Sequence, residues 1–87
     1  MIYIGKIVNT HGIKGELRIL SSFKYKEEIF KVGNFLYIDN NKYQIKTYRK
    51  HKNYDMVTLN DFNNINEVLF LKEKQVYSLR EYVKEVL

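Results

Sequence analysis

The 87-residue chain has no cysteine, so neither a disulfide nor a thiolate-held metal can form. It has only two histidines, His11 and His51, and no Cys–His or Ser–His–Asp constellation can be assembled from them. The adjacent carboxylates Glu27 and Glu28 point apart in either helix or strand, which makes them a poor acid–base pair. These gaps argue against an enzyme and leave no residues suited to a cofactor or metal. No apolar run approaches the roughly 18–20 residues of a membrane-spanning helix. The N-terminal Met1-Ile2-Tyr3-Ile4-Gly5-Lys6 lacks a basic lead and breaks at Lys6, unlike a signal peptide. The expectation is a cytoplasmic protein with no membrane partner. Proline is absent, as are low-complexity segments and internal repeats, and nothing divides the chain into parts. Glycine is scarce too: of four, Gly12 and Gly15 fall within the single stretch Thr10-His11-Gly12-Ile13-Lys14-Gly15.

What is present fits one small domain. The chain is 45% hydrophobic and 15% aromatic, too apolar for a disordered tail and enough for a modest core. Its formal net charge of +5 points toward acidic partners such as RNA. Most of the cations are lysines spread through a Lys-, Asn- and Ile-rich sequence, so general composition accounts for much of that charge.

Short β-patterned runs dominate. Ile2 to Val8 is almost continuously apolar, as in a strand covered on both faces. Glu16 to Leu20 alternates, with Leu17 and Ile19 on one face and Glu16 and Arg18 on the other. Phe35 to Ile38 runs into Asp39-Asn40-Asn41, residues that tolerate the left-handed backbone of a hairpin turn. Lys42 to Lys50 returns with Tyr43 and Ile45 inward, and Met56–Leu59 and Gln75–Leu79 complete the set. Asn64 and Glu67 form an Asn-led capping box for a short helix, with Ile65, Val68, Leu69 and Lys72 on one stripe. A second helical turn is expected around Lys26 to Phe30. Six such strands with long polar side chains outside predict a mostly β fold, a small six-stranded barrel whose closure removes exposed edges.

The glycine pair does not make a phosphate cradle. Phosphate loops run into a helix N-terminus, whereas Gly15 runs into a strand. The KH-type GXXG clamp lies between two helices and fails for the same reason. A tight turn with approachable backbone remains, carrying His11 either as a packed ring or as a contact residue. Tyr48-Arg49-Lys50-His51-Lys52-Asn53-Tyr54 is the densest basic cluster, with aromatics at both ends. It reads equally as a nucleic-acid patch or as a solvated hairpin end. Asp55 is expected to pair with a nearby cation.

The run Gly5-Lys6-Ile7-Val8-Asn9-Thr10-His11-Gly12-Ile13-Lys14-Gly15-Glu16-Leu17-Arg18-Ile19 resembles the opening signature of the ribosome maturation factor RimM family. Arg49-Lys50-His51-Lys52 before Asp55-Met56-Val57, then Asn63 to Val68, then Gln75-Val76-Tyr77, resemble its later features in order. Asp61-Phe62 and Glu73 replace glycines common in the family, and these departures bear on local turns. The resemblance implies a Greek-key barrel over residues 1–80, similar to the second domain of translation elongation factors. It also implies that residues 81–87 begin a linker toward a second, PRC-type barrel. The implied function is non-catalytic: binding the maturing small (30S) ribosomal subunit near its head, with ribosomal protein S-nineteen as partner and 16S rRNA as a further contact, to assist late rRNA processing. The domain would act as a monomer and without a cofactor. The implied partner-binding residues are His11, Gly12, Lys14, Gly15 and Arg18 on one surface, and Arg49, Lys50, His51 and Lys52 on a second. The rival reading is a free-standing RNA-binding barrel. Against it, the strands show few regularly spaced exposed aromatics of the kind that form a stacking platform.

Overall fold

A computed structural model describes all residues from Met1 to Leu87. Six strands form where alternation places them: β1 (Ile2–His11), β2 (Glu16–Leu20), β3 (Phe35–Ile38), β4 (Asn41–His51), β5 (Tyr54–Leu59) and β6 (Gln75–Ser78). They close into a barrel in the order β1-β2-β5-β4-β3-β6. Every neighbouring pair is antiparallel. β3, β4 and β5 follow one another through hairpins, and β6 returns to lie beside β3, which is the Greek-key arrangement.

Inward positions fill the barrel with Leu17, Ile19, Leu36, Ile45, Val57, Leu59 and Val76, all within one buried cluster. Tyr43 is also inward, as its alternation predicts. Burying these side chains contributes roughly 1.5–3 kcal/mol each before chain entropy is set against it. β1 is longer than the apolar run suggests, and it serves two neighbours. Residues Ile2 to Lys6 pair with β6 and residues Lys6 to His11 with β2, with irregularities between Tyr3 and Gly5 and between Ile7 and Asn9. Such bulges let one strand bend around a barrel corner. Gly5 sits at this bend, and a side chain there would collide with the Leu20 carbonyl.

The β3–β4 hairpin turns on Asp39 and Asn40 with φ of 51° and 65°, the positive pair required by the tightest hairpin loop. The helical turn expected near Lys26 forms as α1 (Lys26–Ile29) and seats Ile29 and Phe30 in the core. The capping-box helix does not form as an α-helix. Two 3₁₀ turns, Ile65–Glu67 and Leu69–Leu71, replace it. Asn64 still caps through its side chain, but it accepts from Asn66 N–H, and Glu67 reaches back to Asn63 N–H at 3.0 Å. With three residues per turn, the buried stripe becomes Val68 and Leu71 while Leu69 faces solvent. The α-helical periodicity had put Leu69 inward.

Past β6, Arg80–Val83 forms a further 3₁₀ turn. Val83 is fully buried, and the Tyr82 hydroxyl accepts a 2.9 Å hydrogen bond from Phe35 N–H. Packing against the barrel therefore continues as far as Val83. The outer wall also departs from expectation. Tyr3, Tyr77 and Tyr37 occupy directly paired positions on β1, β6 and β3, so an ordered aromatic row is present.

Candidate functional site

The turn after β1 is built by its two glycines. Gly12 and Gly15 take φ of +79° and +86°, and Gly15 N–H closes the turn on Gly12 C=O at 3.3 Å. Behind it, Ile65 N–H donates to Ile13 C=O at 2.8 Å, so the first 3₁₀ turn holds the loop in place. A Cβ at Gly15 would lie 3.0 Å from the Asn64 carbonyl oxygen. Gly15 is buried, so its part is to shape the turn, and it offers no contact surface itself. Gly12, Ile13 and Lys14 project instead, Ile13 with 82% of its surface exposed.

His11 ends β1 opposite Glu16, the first residue of β2. Arg18 Nη2 lies 2.6 Å from His11 Nδ1. A guanidinium only donates, so Nδ1 is the accepting atom in this contact. Arg18 pairs with Met56 on β5, and Met56 pairs with Arg49 on β4. A row Arg18–Met56–Arg49 therefore crosses three strands on the outer wall, and Met56 is fully buried there beneath its neighbours. Arg49 reaches over β5 to Glu16 with two hydrogen bonds of 2.8 Å each. That bonding holds the Glu16 carboxyl below its ordinary 4.5, against the opposing effect of partial burial. It raises the Arg49 guanidinium in turn. The His11 and His51 rings lie 6.0 Å apart, and Arg18 sits 5.8 Å from the Tyr54 ring centre. Thr47 and Thr58 share a 2.6 Å hydrogen bond and, with His11, Glu16 and the glycine turn, line a shallow hollow of about 500 Å³.

The two surfaces expected from the sequence are thus one. His11 and Arg18 from the first hairpin meet Arg49 and His51 from the second, because the Greek key sets β2 against β5. Lys14 and Lys52 flank this face from the two hairpin tips, and neither they nor Arg18 have a carboxylate partner. The Nε of Arg18 is buried without a hydrogen-bond partner.

Lys50 does not join the face. Strand alternation sends it to the other side, where its amine lies 3.7 Å from Asp55, a residue only 1% exposed. Asp55 pairs with cations, as expected. It accepts from the Tyr48 hydroxyl at 2.7 Å, and Lys26 Nζ sits 2.9 Å from its other oxygen, an ionic contact outside hydrogen-bond angles. The neighbouring Lys50 amine and the Asp55 carboxylate push the Lys26 amine up, while Lys26 pushes the Lys50 amine down. Burial, aided by the Asp55 bond, pushes the Tyr48 phenol well up. This cluster ties α1 to the β4–β5 hairpin and is structural. Glu16, Met56 and Thr58 were missed as site residues, since only knowledge of which strands are neighbours brings them together. No group of three His, Cys, Asp or Glu side chains is placed to hold a metal ion, and no helix is long and apolar enough to cross a membrane.

The family model described as the RimM N-terminal domain matches residues 2–83. The ribosome maturation factor RimM of Ligilactobacillus salivarius is 55% identical over 75 residues, covering 82% of this chain and 45% of the relative. That of Bacillus mycoides is 42% identical over 89 residues, covering 95% of the chain and 52% of the relative. A Pseudomonas aeruginosa crystal structure, titled as a 16S ribosomal RNA processing protein RimM, superposes with a TM-score of 0.78 at 19% identity. The match spans 99% of this chain and 54% of that one, and at this identity it shows the shared barrel fold. The chain spans about half the length of these relatives. With the signature turn, the closed barrel and the family match all covering the same residues, the chain belongs to the RimM family, of which it carries the N-terminal domain.

Proposed function

We propose that this domain is a non-catalytic part of a ribosome assembly factor, binding the maturing 30S subunit near its head and assisting late processing of 16S rRNA. The relatives' names, ribosome maturation factor, support the assembly role. The observation that carries the binding site is the convergence of both hairpins on the face of His11, Arg18, Arg49 and His51. Its uncompensated cations, Arg18 with Lys14 and Lys52 at the rim, suit an acidic protein patch on a head protein of the S-nineteen type, or rRNA phosphate. Arg49 contributes less free charge, because Glu16 neutralises it. The His11 ring orients Arg18 through their 2.6 Å contact.

Co-sedimentation with small-subunit precursor particles tests the reading. The double variant Lys14→Ala/Arg18→Ala is expected to lower bound protein about tenfold, as for the loss of two charge-assisted contacts. Binding by the parent chain should also weaken as salt rises. Undiminished association of the double variant would remove this face from the proposal.

A further inference from the structure

We propose that the outer wall made by β1, β6 and β3 binds single-stranded RNA by stacking bases on its row of tyrosines. This wall lies on the far side of the barrel from the basic face, and the inference stands independently of what that face binds. Tyr3 pairs with Tyr77, Tyr77 with Tyr37, and Tyr37 with Lys42, so one row crosses four neighbouring strands. Alternation turns the whole row outward, since the flanking residues Ile4, Val76, Leu36, Ile38 and Tyr43 are buried. Tyr3 keeps 51% of its surface exposed and Tyr77 keeps 40%.

Adjacent strands set such side chains about 4.8 Å apart. The Tyr3 and Tyr77 rings meet edge to face with centroids 5.5 Å apart. In that geometry the ring presenting its edge keeps both faces clear of its partner, and each ring steadies the other. That leaves an ordered face open for a flat heterocycle. Beside the row lies a hollow of about 320 Å³ against Tyr77 and Tyr37, with Gln75, Lys74 and Asp39 on its rim, groups suited to the polar edge of a base.

The surroundings favour a nucleic acid over a protein. The next outward pair along β1 and β6 is Lys6 with Gln75, and the Lys42 amine sits 4.7 Å from the Phe35 ring centre. The rings are therefore framed by cations and amides, the combination of aromatic faces and nearby positive charge that single-strand binders use. The nearby carboxylates Asp39 and Glu73 are each paired with a lysine, Lys74 at 2.7 Å and Lys6 at 3.1 Å, so these four charges offset one another and Lys42 is the wall's unpaired lysine. The whole chain is net positive, complementary to a polyanion. A single strand fits and a duplex does not, because bases paired inside a helix show no face to stack on.

The test is fluorescence anisotropy of a labelled ten-nucleotide single-stranded RNA titrated with the 87-residue chain at low salt, beside a duplex of equal length. The single strand should bind at least tenfold more tightly than the duplex. Tyr3→Ala and Tyr77→Ala should each weaken it by about tenfold, within the range for losing one stacked base. Tyr77→Phe should keep binding within about twofold, because the ring and not the hydroxyl is used; this variant preserves the test if an alanine variant unfolds. Lys31→Ala, a surface lysine that belongs to neither face, is run in parallel and should bind as the parent does. Loss in the tyrosine variants but not in Lys31→Ala marks this wall. Undiminished binding by both tyrosine-to-alanine variants, equal affinity for duplex, or no saturable binding overturns the proposal. So does a ribosomal protein, in place of RNA, being lost by the tyrosine variants.

Discussion

Alanine at Gly15 and at Gly12 should have unequal costs, and the difference isolates one contact. Both glycines have strongly positive φ, +86° and +79°, so a Cβ at either brings left-handed strain of about 1–2 kcal/mol. At Gly12 nothing else lies within 4 Å of the new atom. At Gly15 it would meet the Asn64 carbonyl oxygen at 3.0 Å, the Asn64 carbonyl carbon at 3.2 Å and Val68 Cγ2 at 3.3 Å. Two of these are backbone atoms in a turn already tied to Ile13 by the Ile65 hydrogen bond, so the relief available is displacement of the 3₁₀ turn. Overpacking of this kind adds about 1–3 kcal/mol. Gly15→Ala should therefore lose about 2–5 kcal/mol in total and Gly12→Ala about 1–2. For a domain of this size each kcal/mol moves Tm by roughly 4–8 °C, so thermal unfolding followed by circular dichroism resolves the two easily. Equal Tm losses for the two variants would refute the claim that the loop is seated on Asn64.

Glu16→Gln should lower stability only where the carboxylate is ionised. Because the folded pKa is depressed, the stabilisation is complete above the ordinary 4.5 and is lost as pH falls through the lower folded value. Urea midpoints of parent and variant should therefore differ at pH 7 and converge in acid; a constant gap across that range would contradict it. Asp55→Asn leaves the Lys26 and Lys50 amines without their shared carboxylate. It should cost about 2–3 kcal/mol in urea unfolding, the lower side of buried-pair losses because both amines reach water. Tyr82→Phe strands the Phe35 N–H and should cost about 1 kcal/mol. Faster amide exchange at Phe35 would be its signature, and an unchanged rate would show that this bond does not hold the C-terminal turn.

The strands were legible because inward and outward residues alternate plainly, as at Leu17/Arg18/Ile19 and Tyr43/Gln44/Ile45. Asp39-Asn40 gave its hairpin for an equally local reason, the positive φ that those residues tolerate. The segment from Ile65 to Leu71 reads as an α-helix because spacings of three and four coexist there, and its contacts with Ile13 and Gly15 are not visible in the local pattern. The face of His11 and Arg49 was half legible. Each hairpin announced its own cations, but nothing local says that β2 lies against β5, so Glu16 and Met56 stayed invisible. The tyrosine row was hidden for the same reason. Tyr3, Tyr37 and Tyr77 are far apart in sequence and become neighbours only when the ring closes.

That closure also imposes an order of events during synthesis. The first half of β1, Ile2 to Lys6, has as its partner β6, the last strand of the barrel to be made, while its second half has β2 immediately downstream. As the chain emerges, the β1–β2 hairpin and the β3–β4–β5 meander can pair at once. Ile2 to Gly5 must wait with an open backbone edge until Gln75 to Ser78 arrive. Joining the first and last strands of the barrel is therefore the step with the longest loop to close. Until then the nascent domain carries an unpaired strand at its N-terminus, the part of the molecule most exposed to mispairing with another chain.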